Sequence, residues 1–277
     1  MELNPEDYKE PRCLSCTDFY EPGDQRNVTP IPVDRVIDKL DAYLSRNDAD
    51  GARRHLEYWL NEAREGHDKR GELAVLNELL GLYRKSGMSE QAFGCVRPAE
   101  KLIEELGLED SLTAGTVYLN IATVCEAFGR PQEALKGYCR AREIYESRLK
   151  EGDRRLGGLY NNMALACVSI GEYERAKELY GKAADIMCRC ENGLPEAAIT
   201  LLNLANALEA QYGLEEAAQE ISECVERAES YLNDGANMRD GNYAFVCEKC
   251  APTFEYYGWF LAAEEFRRRS KEIYERA

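Results

Sequence analysis

The chain has 277 residues, 44% of them apolar, which is ample material for a core. Its 35 Lys and Arg stand against 51 Asp and Glu, and the resulting net charge of −16 argues against nucleic acid and for a neutral or basic partner. It has no run of about 18 apolar residues, and its N-terminal MELNPEDYKE is acidic, so neither a membrane span nor a signal peptide is expected, and the expected location is the cytoplasm.

Residues 1–31 carry Pro5, Pro11, Pro22 and Pro30 without helical periodicity and read as an extended tail, while Pro32 suits a first helical turn. From Val33 onward, apolar residues recur at helical spacing in paired segments. The pairs are 33–46 with 49–65, 70–86 with 89–106, 112–128 with 131–150, 156–170 with 173–190, 196–211 with 214–232, and 242–257 with 259–276. The second segment of each pair carries a small residue, namely Ala52, Ala92, Ala134, Ala176, Ala217 and Ala263, at separations of 40, 42, 42, 41 and 46. Repeats of that length imply one elongated body with a continuous core. Two places are expected to be irregular. Gly94 and Pro98 should kink or break the fourth helix near residue 94. The turn-rich stretch from Asn233 to Gly241 lengthens the last join.

The first segments carry Leu40, Leu80, Ala122, Ala164, Ala205 and Ala251 at one matching position, followed three residues later by Tyr43, Tyr83, Cys125, Cys167, Leu208 and Phe254. Residues three apart share a helical face, so these twelve describe one buried stripe. The second segments add Trp59, Ala99, Ala141, Ala183 and Cys224. In the stretch Gly157–Ile186, Ala164, Gly171, Ala176, Tyr180 and Ala183 fall where a helix-turn-helix repeat needs small and aromatic residues. This pattern resembles the tetratricopeptide repeat, and the surplus over about 34 residues per unit is similar to the longer repeats of kinesin light chains. The resemblance implies an all-α, right-handed α-solenoid of about six helical hairpins. Its units are approximately 32–68, 69–110, 111–152, 153–193, 194–236 and 237–277, preceded by the tail at 1–31.

The resemblance further implies that the first helices line a concave groove that binds a peptide or protein segment. Two residues before the small position stand Asp38, Glu78, Asn120, Asn162, Asn203 and Lys249. Asparagine both donates and accepts, so Asn120, Asn162 and Asn203 suit the backbone of an extended ligand; the competing reading is that they bridge neighbouring helices. Arg84, Thr123, Glu126 and Asn206 should lie one turn further along the same lining. The family's carboxylate clamp needs cations beside its asparagine, and only Arg84 and Lys249 stand near such positions. The tail is expected either to cap the first hairpin or to occupy the groove.

Cys13 and Cys16 with Cys247 and Cys250 form two C-x-x-C pairs at zinc spacing, but the second pair falls at core positions, so idle thiols are expected and no metal or cofactor. Eleven cysteines, an odd number spread through helices, are expected to be reduced. His55 and His67 belong to no catalytic motif, and no phosphate-binding or nucleophile-elbow pattern occurs, so an enzyme is not expected. Arg267, Arg268 and Arg269 read as cations complementing the end of the last helix. The chain thus reads as a scaffold for peptide or protein binding, the alternative being a structural or self-associating repeat module.

Overall fold

A computed structural model describes residues 28–46 and 48–276. Among them are twelve α-helices and no strand. The helices are α1 (Val33–Leu44), α2 (Ala49–Glu65), α3 (Lys69–Lys85), α4 (Ser89–Glu105), α5 (Leu112–Ala127), α6 (Pro131–Arg148), α7 (Arg154–Ser169), α8 (Tyr173–Arg189), α9 (Leu194–Tyr212), α10 (Ala218–Leu232), α11 (Gly241–Tyr256) and α12 (Phe260–Tyr274). Local chemistry sets their ends. The side chains of Asp48, Asp68, Ser111, Asp153 and Asp240 accept backbone N–H groups in the first turns of α2, α3, α5, α7 and α11. Gly87, Gly129, Gly171, Gly213 and Gly258 take positive φ between the two helices of five successive hairpins, where a Cβ would be strained.

The helices form an α-solenoid of six hairpins, each first helix packing on its own second helix. The first helices also pack on one another in order, α1 on α3, α3 on α5, α5 on α7, α7 on α9 and α9 on α11, whereas the second helices do not meet comparably. A stack whose one layer is close and whose other layer is splayed curves toward the close layer. The first helices therefore line the concave face. The stripe that holds the units together is buried: Leu40, Leu80, Ala122, Ala164, Ala205 and Ala251 are at most 4% exposed, and Tyr83, Cys125, Cys167, Leu208 and Phe254 lie beside them in the core. Only Tyr43, in the first described hairpin, is half-buried.

Three expectations change. The fourth helix is neither broken nor interrupted at residue 94, because α4 runs from Ser89 to Glu105 with Pro98 inside it. Gly94, whose carbonyl Pro98 leaves without a helical donor, is exposed with open space around its Cα, so that carbonyl can turn to water. The second helix of unit five starts at Ala218 instead of residue 214. Residues 214–217 form a turn after Gly213 (φ 86°), in which the Ala218 N–H reaches back only to the Glu215 carbonyl. At two joins the packing differs from the rest: α5 rests on α3 more than on α4, and α11 rests on α9 rather than on α10. The first follows the Gly94 and Pro98 helix and the second follows the 233–241 connector. The Arg267–Arg269 cluster lies inside α12, where Arg267 meets Glu255, Arg268 meets Glu265 and Glu272, and Arg269 meets Glu265. Two guanidinium groups hold the Glu265 carboxyl down to about 2, so ion pairing, not the helix end, accounts for the cluster.

The readings of residues 1–27, including Cys13 and Cys16, lie outside the described residues. Residues 28–31 run along the α2–α3 junction. The Thr29 N–H donates to the Gly66 carbonyl at 2.8 Å, the Ile31 N–H donates to Asp68 Oδ2 at 3.0 Å, and the Ile31 side chain enters the core. A Cβ at Gly71 would stand 2.6 Å from Ile31 Cγ1, so the close approach depends on that glycine. Asp68 thus caps α3 with one oxygen and holds the incoming chain with the other. Asp68→Ala is expected to cost about 2–3 kcal/mol, the sum of a lost cap and a buried N–H left unpaired. Thermal unfolding against wild type checks this, and a loss below about 0.5 kcal/mol would show that the junction does not depend on the carboxylate.

Candidate functional site: an amide row in the concave groove

The first helices carry half-buried side-chain amides in two relays of the same form. Asn120 of α5 donates to Asn77 Oδ1 of α3 at 2.8 Å, and Asn77 donates to Glu78 at 3.3 Å. Asn203 of α9 donates to Asn161 Oδ1 of α7 at 3.0 Å, and Asn161 donates to Asn162 Oδ1 at 3.4 Å. Helix bridging, the competing reading of these asparagines, therefore accounts for one group on Asn120 and one on Asn203. It does not exhaust them. Oδ1 of Asn120, the Nδ2 hydrogens of Asn162 and Oδ1 of Asn203 have no protein partner among the described residues. The open groups in units three, four and five are thus acceptor, donor and acceptor. An extended backbone offers alternating N–H and C=O groups, which complement this order.

The other site residues divide. Thr123 turns its hydroxyl to its own helix, donating to the Asn120 carbonyl at 2.8 Å. Glu126 accepts the Tyr138 hydroxyl at 2.7 Å, and burial raises its carboxyl above the usual range while Tyr138 and Arg84 draw it partly back. Arg84 reaches no ion pair among the described residues, and its Nε is buried without an acceptor. Asn206 is exposed and accepts from the Tyr257 hydroxyl at 3.0 Å, next to Glu209, which takes the hydroxyls of both Tyr256 and Tyr257. Lys249 is exposed on α11, its ammonium 5.9 Å from the centre of the Phe245 ring. The structure therefore groups Arg84, Asn120, Thr123, Glu126, Asn162 and Asn203 over α3 to α9, and sets Asn206 and Lys249 toward the last hairpin.

Sequence reasoning missed Asn77, Asn161 and Tyr138, and it read Tyr180 only as a packing residue of the repeat. Asn77 and Asn161 stand three residues before Leu80 and Ala164, one position from the column of asparagines, so the repeat register carried the signal for them. Tyr138 and Tyr180 occupy one position in α6 and α8, four residues after Ala134 and Ala176. Tyr138 finds Glu126, but Val168 stands at the corresponding place in unit four, and the Tyr180 hydroxyl is buried with no partner.

The thiols of the second C-x-x-C pair are core residues. Cys247 and Cys250 are buried in α11, where burial pushes the Cys250 thiol up to about 12 and raises Cys247 as well, which disfavours the thiolate that a metal or a redox partner needs. Among the described residues no group of three or more His, Cys, Asp and Glu side chains is placed to hold a metal ion. No described helix is long and apolar enough to cross a membrane.

A family model described as Tetratricopeptide repeat matches residues 71–147. No curated protein matches the chain. Among solved structures, BtubC (BKLC) from P. vanneervenii is similar with a TM-score of 0.63 and 24% identity, covering 72% of this chain and 79% of that one. A Podosopora anserina protein described as a kinesin light chain with nearly identical TPR-like repeats gives 0.53 and 17%, covering 73% and 94%. A Rap protein complexed with Competence and Sporulation Factor gives 0.50 and 16%, covering 86% and 73%. At these identities the likeness is one of fold. The fold is an α-solenoid of tetratricopeptide-like hairpins: residues 71–147 match the repeat family, and the hairpins on either side continue the same architecture.

Proposed function

We propose that the protein is a non-enzymatic scaffold that holds an extended peptide or protein segment in the concave face of its first helices. The observation that carries this reading is the acceptor, donor, acceptor order left open by Asn120, Asn162 and Asn203 after the two relays have formed. Backbone recognition of this kind takes its affinity from the main chain and leaves selectivity to the neighbouring side chains. The net charge of −16 favours a neutral or basic segment. Free, mostly buried thiols suit a reducing compartment, so we place the protein in the cytoplasm. The Rap protein, solved complexed with Competence and Sporulation Factor, is the precedent for a solenoid of this general form carrying a factor.

A second reading has its own observation. The last hairpin exposes Phe245, Tyr256, Phe260 and Leu261, the last two at 65% and 84%. These exposed side chains favour self-association through the last hairpin. Screening a peptide library for binding and sedimenting the free protein separates the two. Peptide binding by a monomer supports the groove, whereas a concentration-dependent dimer that binds no peptide supports the end face instead.

A further inference from the structure

Four residues after the small position of each first helix stands a side chain in the last turn: Leu44, Arg84, Glu126, Val168, Glu209 and Glu255. The charges in this row are not treated alike. Glu209 takes two tyrosine hydroxyls and Glu255 is paired with Arg267. Arg84 and Glu126, in adjacent units, have no ion pair among the described residues, not even with each other. The Tyr138 hydroxyl donates to the Glu126 carboxylate at 2.7 Å. Both charges are nevertheless half-buried. Two polar atoms around them are sealed without partners, Arg84 Nε and the hydroxyl of Tyr180, a residue only 1% exposed that feels the Glu126 charge. A buried charged donor without an acceptor is costly, and its persistence calls for a partner supplied from elsewhere.

We infer that Arg84 and Glu126 form a charge-reading pair in the groove, which selects a peptide carrying one acidic and one basic side chain two to four residues apart. The pair sits on α3 and α5, which pack directly, and packed helices lie about 8–10 Å apart. An extended chain advances about 3.3–3.6 Å per residue, so two to four residues span that step. The acidic side chain meets the Arg84 guanidinium and the basic one meets Glu126, each completing a charge that the protein leaves open. An isolated carboxylate ligand would face Glu126 unpaired, and an isolated ammonium would face Arg84. Only the paired ligand settles both.

This inference rests on the groove reading. Its test is a positional-scanning library of nine-residue peptides, bound in parallel to the full chain and to the single variants Glu126→Gln and Arg84→Met. Thermal unfolding confirms that each variant is folded. Wild type is expected to enrich Asp or Glu and Lys or Arg at that spacing. Glu126→Gln is expected to lower the preference for the basic side chain about tenfold while keeping the acidic one, and Arg84→Met to do the reverse. Wild-type binding with charge preferences unchanged in both variants would overturn the inference and leave the groove reading standing. A wild-type protein that binds no member of the library would overturn both.

Discussion

Alanine in place of Phe254 is expected to cost about 3–5 kcal/mol, the largest effect of any single truncation considered for this chain. The ring is fully buried in α11, with the Phe266 ring of α12 centred 5.1 Å away, and the Trp259 N–H donates to the Phe254 carbonyl in the turn between them. Removing the side chain empties the middle of the last hairpin. Because each unit of a solenoid contacts only its neighbours, the damage should remain local. Hydrogen exchange should show α11 and α12 losing protection first while α3 to α8 keep theirs. A loss of stability below about 1 kcal/mol would mean that the last hairpin is not held by this pair of rings.

Leucine in place of Ala122 is expected to act in the opposite sense, by overfilling. Ala122 is fully buried, and a Cβ built on Gly137 of α6 would already stand 3.0 Å from its methyl group and 3.2 Å from the Tyr118 carbonyl. Three more carbons at that crossing must push α5 and α6 apart, at a cost of about 1–3 kcal/mol. The hairpin involved lies in the middle of the stack, so denaturant unfolding should register the change across both neighbours. Wild-type stability in Ala122→Leu would refute the close contact of these two helices.

The small-residue column and the stripe beside it made the hairpins legible in the sequence, because Ala134, Ala176 and their equivalents are buried wherever a second helix crosses a first. The helix ends rest on Asp and Ser caps and on turn glycines, which the apolar spacing alone did not draw on. What the sequence left undecided depends on space and direction. Pro98 reads as a kink or a break, and α4 continues through it, with open surroundings at Gly94. Ala217 keeps its place in the repeat count and its burial, but the turn before it does not wind into a helix. The column Asn120, Asn162 and Asn203 was visible, whereas its coupling to Asn77 and Asn161 was not, since it requires knowing which first helices touch. The orphaned Tyr180 hydroxyl follows from a single exchange, Val168 standing where unit three has Glu126.

The amides give the central claim its most direct measurement, because their bridging and binding roles predict different results. Among the described residues Asn162 donates to no neighbour and accepts only from Asn161 at 3.4 Å, so Asn162→Ala should leave thermal stability nearly unchanged. The same substitution should weaken a peptide selected by wild type by about 1–2 kcal/mol, and Asn120→Ala and Asn203→Ala should do likewise with an added stability loss of about 0.5–1.5 kcal/mol from the broken relays. Titrating one such peptide into all three variants, beside their melting curves, decides the matter. The account predicts weakened binding in every case, with the fold of Asn162→Ala intact. Unchanged affinity in all three, with loss of stability alone in Asn120→Ala and Asn203→Ala, would contradict it and leave the amides as helix bridges only.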